Sequence, residues 1–154
     1  MDNSSLVEEF YRSCRSSNPG LPDGIPESWA FGATPQLADE LLALVQSGVK
    51  TATASSLWDY QYADDPIPKV GELSIILDGR GIPRVLIETT SVEVMPFEEV
   101  SASHAYAEGE GDRTLKHWRE VHEHYWRTYS ESPRGFEPGM PVVCEHFQVL
   151  QGAF

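Results

Sequence analysis

No segment restricts the architecture of this chain more than residues 83–95, "PRVLIETTSVEVM". It is rich in β-branched residues, which favour a strand. At the two-residue period of a strand, Leu86, Glu88, Thr90 and Val92 share one face and Val85, Ile87 and Thr89 the other. Both faces carry apolar side chains, so both need cover, and a strand covered on both faces belongs in the middle of a sheet. "DGRG" (78–81) is a hairpin-turn signal that joins it to the preceding apolar run "ELSIIL" (72–77). Two more strands are expected. One is "VKTATAS" (49–55). The other is "VVCEHFQVL" (142–150), with Val143, Glu145, Phe147 and Val149 on one side.

Helical periodicity appears in three places. Leu6, Phe10 and Cys14 recur at i, i+4 with Val7 and Tyr11 alongside, and "SSNPGLPDGIP" (16–26) ends that helix. Thr34 is an expected N-cap with Pro35 at the first helical position, Leu37, Leu41, Leu44 and Val45 as the apolar stripe, and Gly48 as the C′ residue. Asp112 is an expected cap for a third helix with Leu115, Trp118, Val121, His122, Tyr125, Trp126 and Tyr129 on its apolar side. "PFEEVSASHAYAEGEGD" (96–112) supplies a short helix and an acidic glycine loop. The order α-α-β-β-β-α-α-β predicts an α+β fold: a mixed, mostly antiparallel sheet curled into a β-barrel surrounded by helices. Residues 1–28 are expected as an N-terminal helix and loop appendage, and 29–154 as the main domain.

The net charge is −13 and only 11 of 154 residues are lysine or arginine. Non-specific binding to long nucleic acids depends on those cations neutralising phosphates, so DNA is not an expected partner. A single nucleoside or a local groove for RNA is not opposed by this balance. No apolar run reaches the ~18–20 residues of a membrane span. The acidic start "MDNSSLVEEF" lacks the basic and apolar regions of a signal peptide, so a cytoplasmic protein is expected. A monomer or weak homodimer is expected. Cys14 and Cys144 read as two buried thiols rather than a disulfide.

The chemistry-bearing candidates begin with Lys50, Thr51 and Thr53. A lysine just past a helix end complements the helix dipole. A lysine partly withdrawn from water is also a candidate base, and a nearby threonine hydroxyl can attack a carbonyl or hold the water that does. The loop "AEGEGD" carries Glu108 and Glu110, which either favour the following helix N-terminus or bring a carboxylate over a pocket. Glu88 and Glu145 fall on apolar rows, where an inward carboxylate needs a partner; a structural ion pair or a cavity lining are the alternatives. Trp58, Tyr60 and Tyr62 alternate after the Lys-Thr stretch and suit ligand stacking, whereas Trp118, Tyr125, Trp126 and Tyr129 read as core. The histidines are 104, 117, 122, 124 and 146, with no HExxH or CxxC, so no metal site is expected. No P-loop, dinucleotide fingerprint or Ser/His/Asp elbow is present, and no cofactor is expected.

Taken together, "WAFG" (29–32), "LADELLALVQSGVKTAT" (37–53), "IPKVGELSIILDGRGIPRVLIETTSVEV" (67–94), "AEGEGDRTLKHWREVH" (107–122) and "VVCEHFQVL" (142–150) resemble the ASCH domain family, relatives of the PUA RNA-binding fold. The resemblance implies a barrel with helices around a cleft and an RNA or nucleoside ligand. Some small members look like amidohydrolases that remove the acetyl group of N4-acetylcytidine with a lysine, the threonine three residues on, and a glutamate before a helix. By motif these are Lys50, Thr53 and Glu108, with Thr51, Ser55, Trp58, Tyr60, Glu88 and Glu145 as expected substrate-binding residues. Those members are shorter and follow Lys-Thr-x-Thr with Ile-Arg. Here Ala54 and Ser55 follow, so their substrate-facing arginine has no counterpart. Ribonuclease action on single-stranded RNA and non-catalytic RNA binding, both found in the family, are the alternatives.

Overall fold

The computed structural model of the chain describes residues 3–152. Eleven elements follow in order: α1 (Ser4–Ser17), β1 (Glu27–Trp29), α2 (Pro35–Gln46), β2 (Ala52–Ser56), α3 (Leu57–Tyr62), β3 (Leu73–Leu77), β4 (Pro83–Pro96), a 3₁₀ turn (Phe97–Glu99), α4 (Ala102–Glu108), α5 (Leu115–Tyr129) and β5 (Pro141–Gln151). The strands form one curled sheet in the order β1-β3-β4-β5-β2. β4 lies at its centre, as its two apolar faces require. Among the described residues only β1 with β3 is parallel; the other pairs are antiparallel.

Each face of the sheet buries its apolar row against different helices. On one face Ile76, Val85, Ile87 and Phe147 pack with Leu41, Leu42 and Val45 of α2. On the other, Ile75 and Leu86 meet Val7, Tyr11 and Cys14 of α1. Farther along, Val142 and Cys144 meet Trp118 and Trp126 of α5. Each such side chain withdrawn from water contributes about 1.5–3 kcal/mol. Helix α2 begins as its sequence dictates, the Thr34 hydroxyl accepting from the Leu37 N–H, and Gly48 follows its end at φ 81°. Both cysteines are free and buried. Among the described residues no helix is long and apolar enough to cross a membrane.

Several expectations need correction. The parallel strand β1 and helix α3 were not anticipated. Because 57–62 is helical, Trp58, Tyr60 and Tyr62 do not alternate on a strand: Trp58 is buried in the core under the Arg134 guanidinium, while Tyr62 is exposed. The cap of α5 is Thr114, which accepts from the His117 N–H; Asp112 instead accepts from the Thr114 N–H and hydroxyl. Finally, β4 has a register shift between Thr89 and Ser91. Thr89 opposes Phe147 and Val92 opposes Glu145, two residues apart on β5, so Thr89 and Val92 share a face. One extra residue, Thr90, flips the alternation, as a β-bulge does.

Candidate functional site

The chain enters β2 through a buried lysine. After α2 ends, the Lys50 N–H donates to the Leu44 carbonyl, and its side chain is only 1% exposed. The ammonium Nζ donates to the Ala52 carbonyl at 2.9 Å and to Glu110 Oε2 at 3.2 Å, and lies 3.7 Å from Glu108 Oε1. The ring of Phe31 sits 5.4 Å away. A charge withdrawn from water in this way needs paired charges and hydrogen bonds, and these partners supply both.

Glu108 is the other half of the centre. It is the last residue of α4 rather than a loop residue, and it is as buried as Lys50. Its Oε2 accepts from Trp118 Nε1 at 2.6 Å and meets His104 Nε2 at 2.7 Å; its Oε1 meets His122 Nε2 at 3.2 Å. The Trp118 carbonyl meets His122 Nδ1 at 2.8 Å, and the two rings stack at 4.2 Å. Burial pushes the Glu108 carboxyl upward, but the charge of His122, hydrogen bonds from His104 and His122, and the charge of Lys50 outweigh it. They hold the carboxyl well below its usual range. Burial lowers His122, and Glu108 more than reverses this, so His122 titrates above its ordinary value.

Gly109 makes this arrangement possible. It ends α4 at φ 75°, and a Cβ there would lie 2.7 Å from the Val49 carbonyl oxygen. The bare backbone lets Glu108 and Glu110 approach the lysine from consecutive turns of chain. Gly109→Ala is expected to destabilise the protein by about 2 kcal/mol or more, from left-handed strain and the clash together. An unchanged urea midpoint would contradict this.

A cavity of about 420 Å³ opens over Lys50, Glu108, Glu110 and His122, within the roughly 300–1,000 Å³ of small-molecule sites. Thr53, Ser55 and Tyr60 also line it, and Trp29, Phe31 and Tyr125 give it aromatic walls. Four consecutive β2 residues, Thr53 to Ser56, face it, which suits an edge strand presenting its open side. Lys50 is the sole lysine or arginine on its walls among the described residues, against Asp59, Asp65, Glu108, Glu110 and Glu131.

The structure therefore brings Lys50, Thr53, Glu108, Ser55 and Tyr60 together. Glu145 sits across the ladder from Thr53 and shares its face. Its carboxylate takes the Thr89 hydroxyl at 2.6 Å, not a lysine or arginine, and burial raises its carboxyl. Three expected residues lie elsewhere. Thr51 is exposed and bonds through its N–H and hydroxyl to the Ala107 carbonyl, tying β2 to α4. Trp58 belongs to the core. Glu88 lies on the opposite face of β4 with Leu86, bonded to Gln148 near the loop after α1.

Sequence reasoning missed His104, His122 and Trp118 as partners of Glu108. The signal was the i, i+4 spacing of His104 with Glu108 and of Trp118 with His122, which puts each pair on one helix face. Glu108, Glu110 and His122 also offer two oxygens and a nitrogen within 4.8 Å of one another. The Lys50 ammonium lies against both carboxylates and supplies the cationic charge there. Cys144 is not a nucleophile candidate, because burial pushes its thiol up to about 12.

The ASCH domain family model matches residues 27–151. Among solved structures, protein EF3133 of Enterococcus faecalis V583, described under DUF984, is similar at 38% identity and a TM-score of 0.86, covering 94% of this chain and 88% of that one. An ASCH domain from Lactobacillus crispatus JV V101 is similar at 29% identity and 0.84, covering 96% and 95%. The hypothetical protein PH0355, at 17% identity and 0.52 over 79% of this chain and 98% of that one, shares the fold alone. No curated protein matches the chain. The family match runs from the first residue of β1 to the last of β5 and takes in Lys50, Thr53 and Glu108, so this chain belongs to the ASCH domain family.

Proposed function

We propose that this cleft binds a nucleoside and removes an acyl group from its base, as in N4-acetylcytidine. The observation that carries the reading is that Lys50, Thr53 and Glu108, three residues distant in the chain or in orientation, line one cavity. The acidic walls favour a nucleoside over an RNA strand, since a strand brings phosphates next to carboxylates.

The chemistry follows from the contacts. Lys50 is held at the Ala52 carbonyl, one residue before Thr53. The Thr53 hydroxyl, or a water bound to it, loses its proton to the Lys50–Glu108 pair as its oxygen attacks the acyl carbon. The carbon–nitrogen bond breaks, and the proton returns from the pair to the leaving amine. If Thr53 itself is the nucleophile, water then hydrolyses the threonine ester to release the acid. Lys50 is one of the charges that keep Glu108 ionised. In this relay the Glu108 carboxylate takes the Thr53 proton, the Lys50 ammonium gives one to the leaving amine, which raises the proton affinity of Glu108, and Glu108 then returns its proton to Lys50.

The test is release of cytidine and acetate from N4-acetylcytidine by the pure protein. Thr53→Val is expected to slow it by about 100-fold or more. No turnover across a panel of N4-acylated cytidines sinks the reading. Cleavage of labelled RNA in the same preparation would favour the ribonuclease alternative instead.

A further inference from the structure

We infer that the cleft has a second chamber, between the two edges of the sheet, that takes the hydroxyl-rich, phosphate-free part of the ligand: the ribose, if the ligand is the nucleoside proposed above. A cavity of about 270 Å³ is lined from β1, β2, β3 and β5. It shares Trp29, Thr53, Ser55, Tyr60 and Asp65 with the cavity over Lys50, so the two chambers adjoin along these residues.

The chemistry of its lining differs from that of the first chamber. Glu27, Asp65, Glu72 and Glu145 contribute carboxyl groups, and among the described residues no lysine, arginine or histidine lines it. Glu145 is 94% buried by its 6% exposure, and it is placed directly across from Thr53. One of its oxygens, Oε2, takes the Thr89 hydroxyl. The other, Oε1, has no hydrogen bond to a described residue and is not sealed from solvent, and Glu145 lines this chamber, so the oxygen is open to a ligand there. A sugar hydroxyl is the partner such an oxygen fits. Burial pushes the Glu145 carboxyl above its usual range, against the Thr89 hydrogen bond. The carboxylate oxygen accepts from a hydroxyl, as the other oxygen already does from Thr89. A phosphate in this chamber would face carboxylates without a compensating cation.

The experiment is calorimetric titration of the full chain with cytosine, cytidine and cytidine 5′-monophosphate. Cytidine is expected to bind about tenfold more tightly than cytosine, the effect of a hydrogen bond to a charged or buried acceptor. The monophosphate is expected to bind about tenfold more weakly than cytidine, from like-charge contact. Glu145→Gln, and Glu72→Gln at an exposed position that carries no risk to folding, should each bring the cytidine-to-cytosine ratio toward one. Equal affinity for cytosine and cytidine, tighter binding of the monophosphate, or no binding of any of the three overturns the chamber. These ligands undergo no deacylation, so the two readings separate. A cytidine preference without hydrolysis of N4-acetylcytidine leaves the chamber and removes the hydrolase. Hydrolysis without a cytidine preference removes the chamber alone.

Discussion

Replacing Lys50 with methionine is expected to lower stability by about 3–5 kcal/mol, the cost of removing one partner from a buried ion pair. Acyl hydrolysis should be lost in the same variant. Methionine matches the length of the lysine stem and remains apolar, so packing against Phe31 is largely kept. What disappears is the charge facing Glu108 and Glu110, together with the donor to the Ala52 carbonyl. Glu108 is 1% exposed and cannot turn to water for compensation. A urea denaturation series checks the stability change, and turnover measured at a temperature where the variant is folded checks the activity. If the midpoint is unmoved, the ion pair does not hold the site; if turnover persists, Lys50 is not part of the relay.

The second large effect is at Glu108 itself. Glu108→Gln keeps the shape but replaces one acceptor oxygen with an NH₂ that faces donors. His104, His122, Trp118 and Lys50 all converge on this carboxylate. A loss of about 3–5 kcal/mol is expected. The pH dependence carries a sharper signature. Glu108 titrates lower in the folded chain than its ordinary 4.5, so its contribution is present above that value and fades as pH falls through the depressed folded value. His122 titrates higher than its ordinary 6.5, so its contribution is full below 6.5 and fades as pH rises through the raised folded value. The native protein should therefore be most stable between these two ordinary values as far as this pair is concerned. The charged and titratable groups facing the pair, Lys50, His104 and Glu110, act in the same buried space. In Glu108→Gln both limbs should flatten. Urea midpoints from about pH 3 to about pH 9 measure this, and an unchanged profile would mean that the pair does not govern stability.

Much of the architecture was legible from local pattern. The two apolar faces of 83–95 required a central strand, and β4 is central. Thr34, Pro35 and Gly48 bounded a helix whose cap bond is made by the expected hydroxyl. These features depend on neighbours within a few residues, so periodicity and capping chemistry report them directly. The parallel strand β1 was not legible, because three residues carry no period and its pairing with β3 spans more than forty positions of chain. Helix α3 was hidden because two tyrosines and a tryptophan at alternate positions imitate a strand. The bulge at Thr90 could not be read either, since an extra residue leaves composition unchanged while it inverts every later side chain. Ordinary alternation keeps Glu88 away from the cleft and puts Thr89 on the face of Glu145; the inversion brings Val92 onto that same face.

The sequence by itself determined the elements with strong periods, the acidic balance that disfavours phosphate-rich partners, and the motif that singled out Lys50, Thr53 and Glu108. Only the tertiary structure decided what surrounds them. The burial of Lys50 and the convergence of Trp118 and His122 on Glu108 depend on how α4 and α5 lie against the start of β2, while helix α3 and the pleat of β4 turn Trp58 and Glu88 away. The meeting of Lys50 with Glu108 and Glu110 joins residues 58 and 60 positions apart, to which no local period is sensitive. A carboxylate in water and a carboxylate held by four donors are the same letter in the sequence, and desolvation together with those donors makes them chemically different.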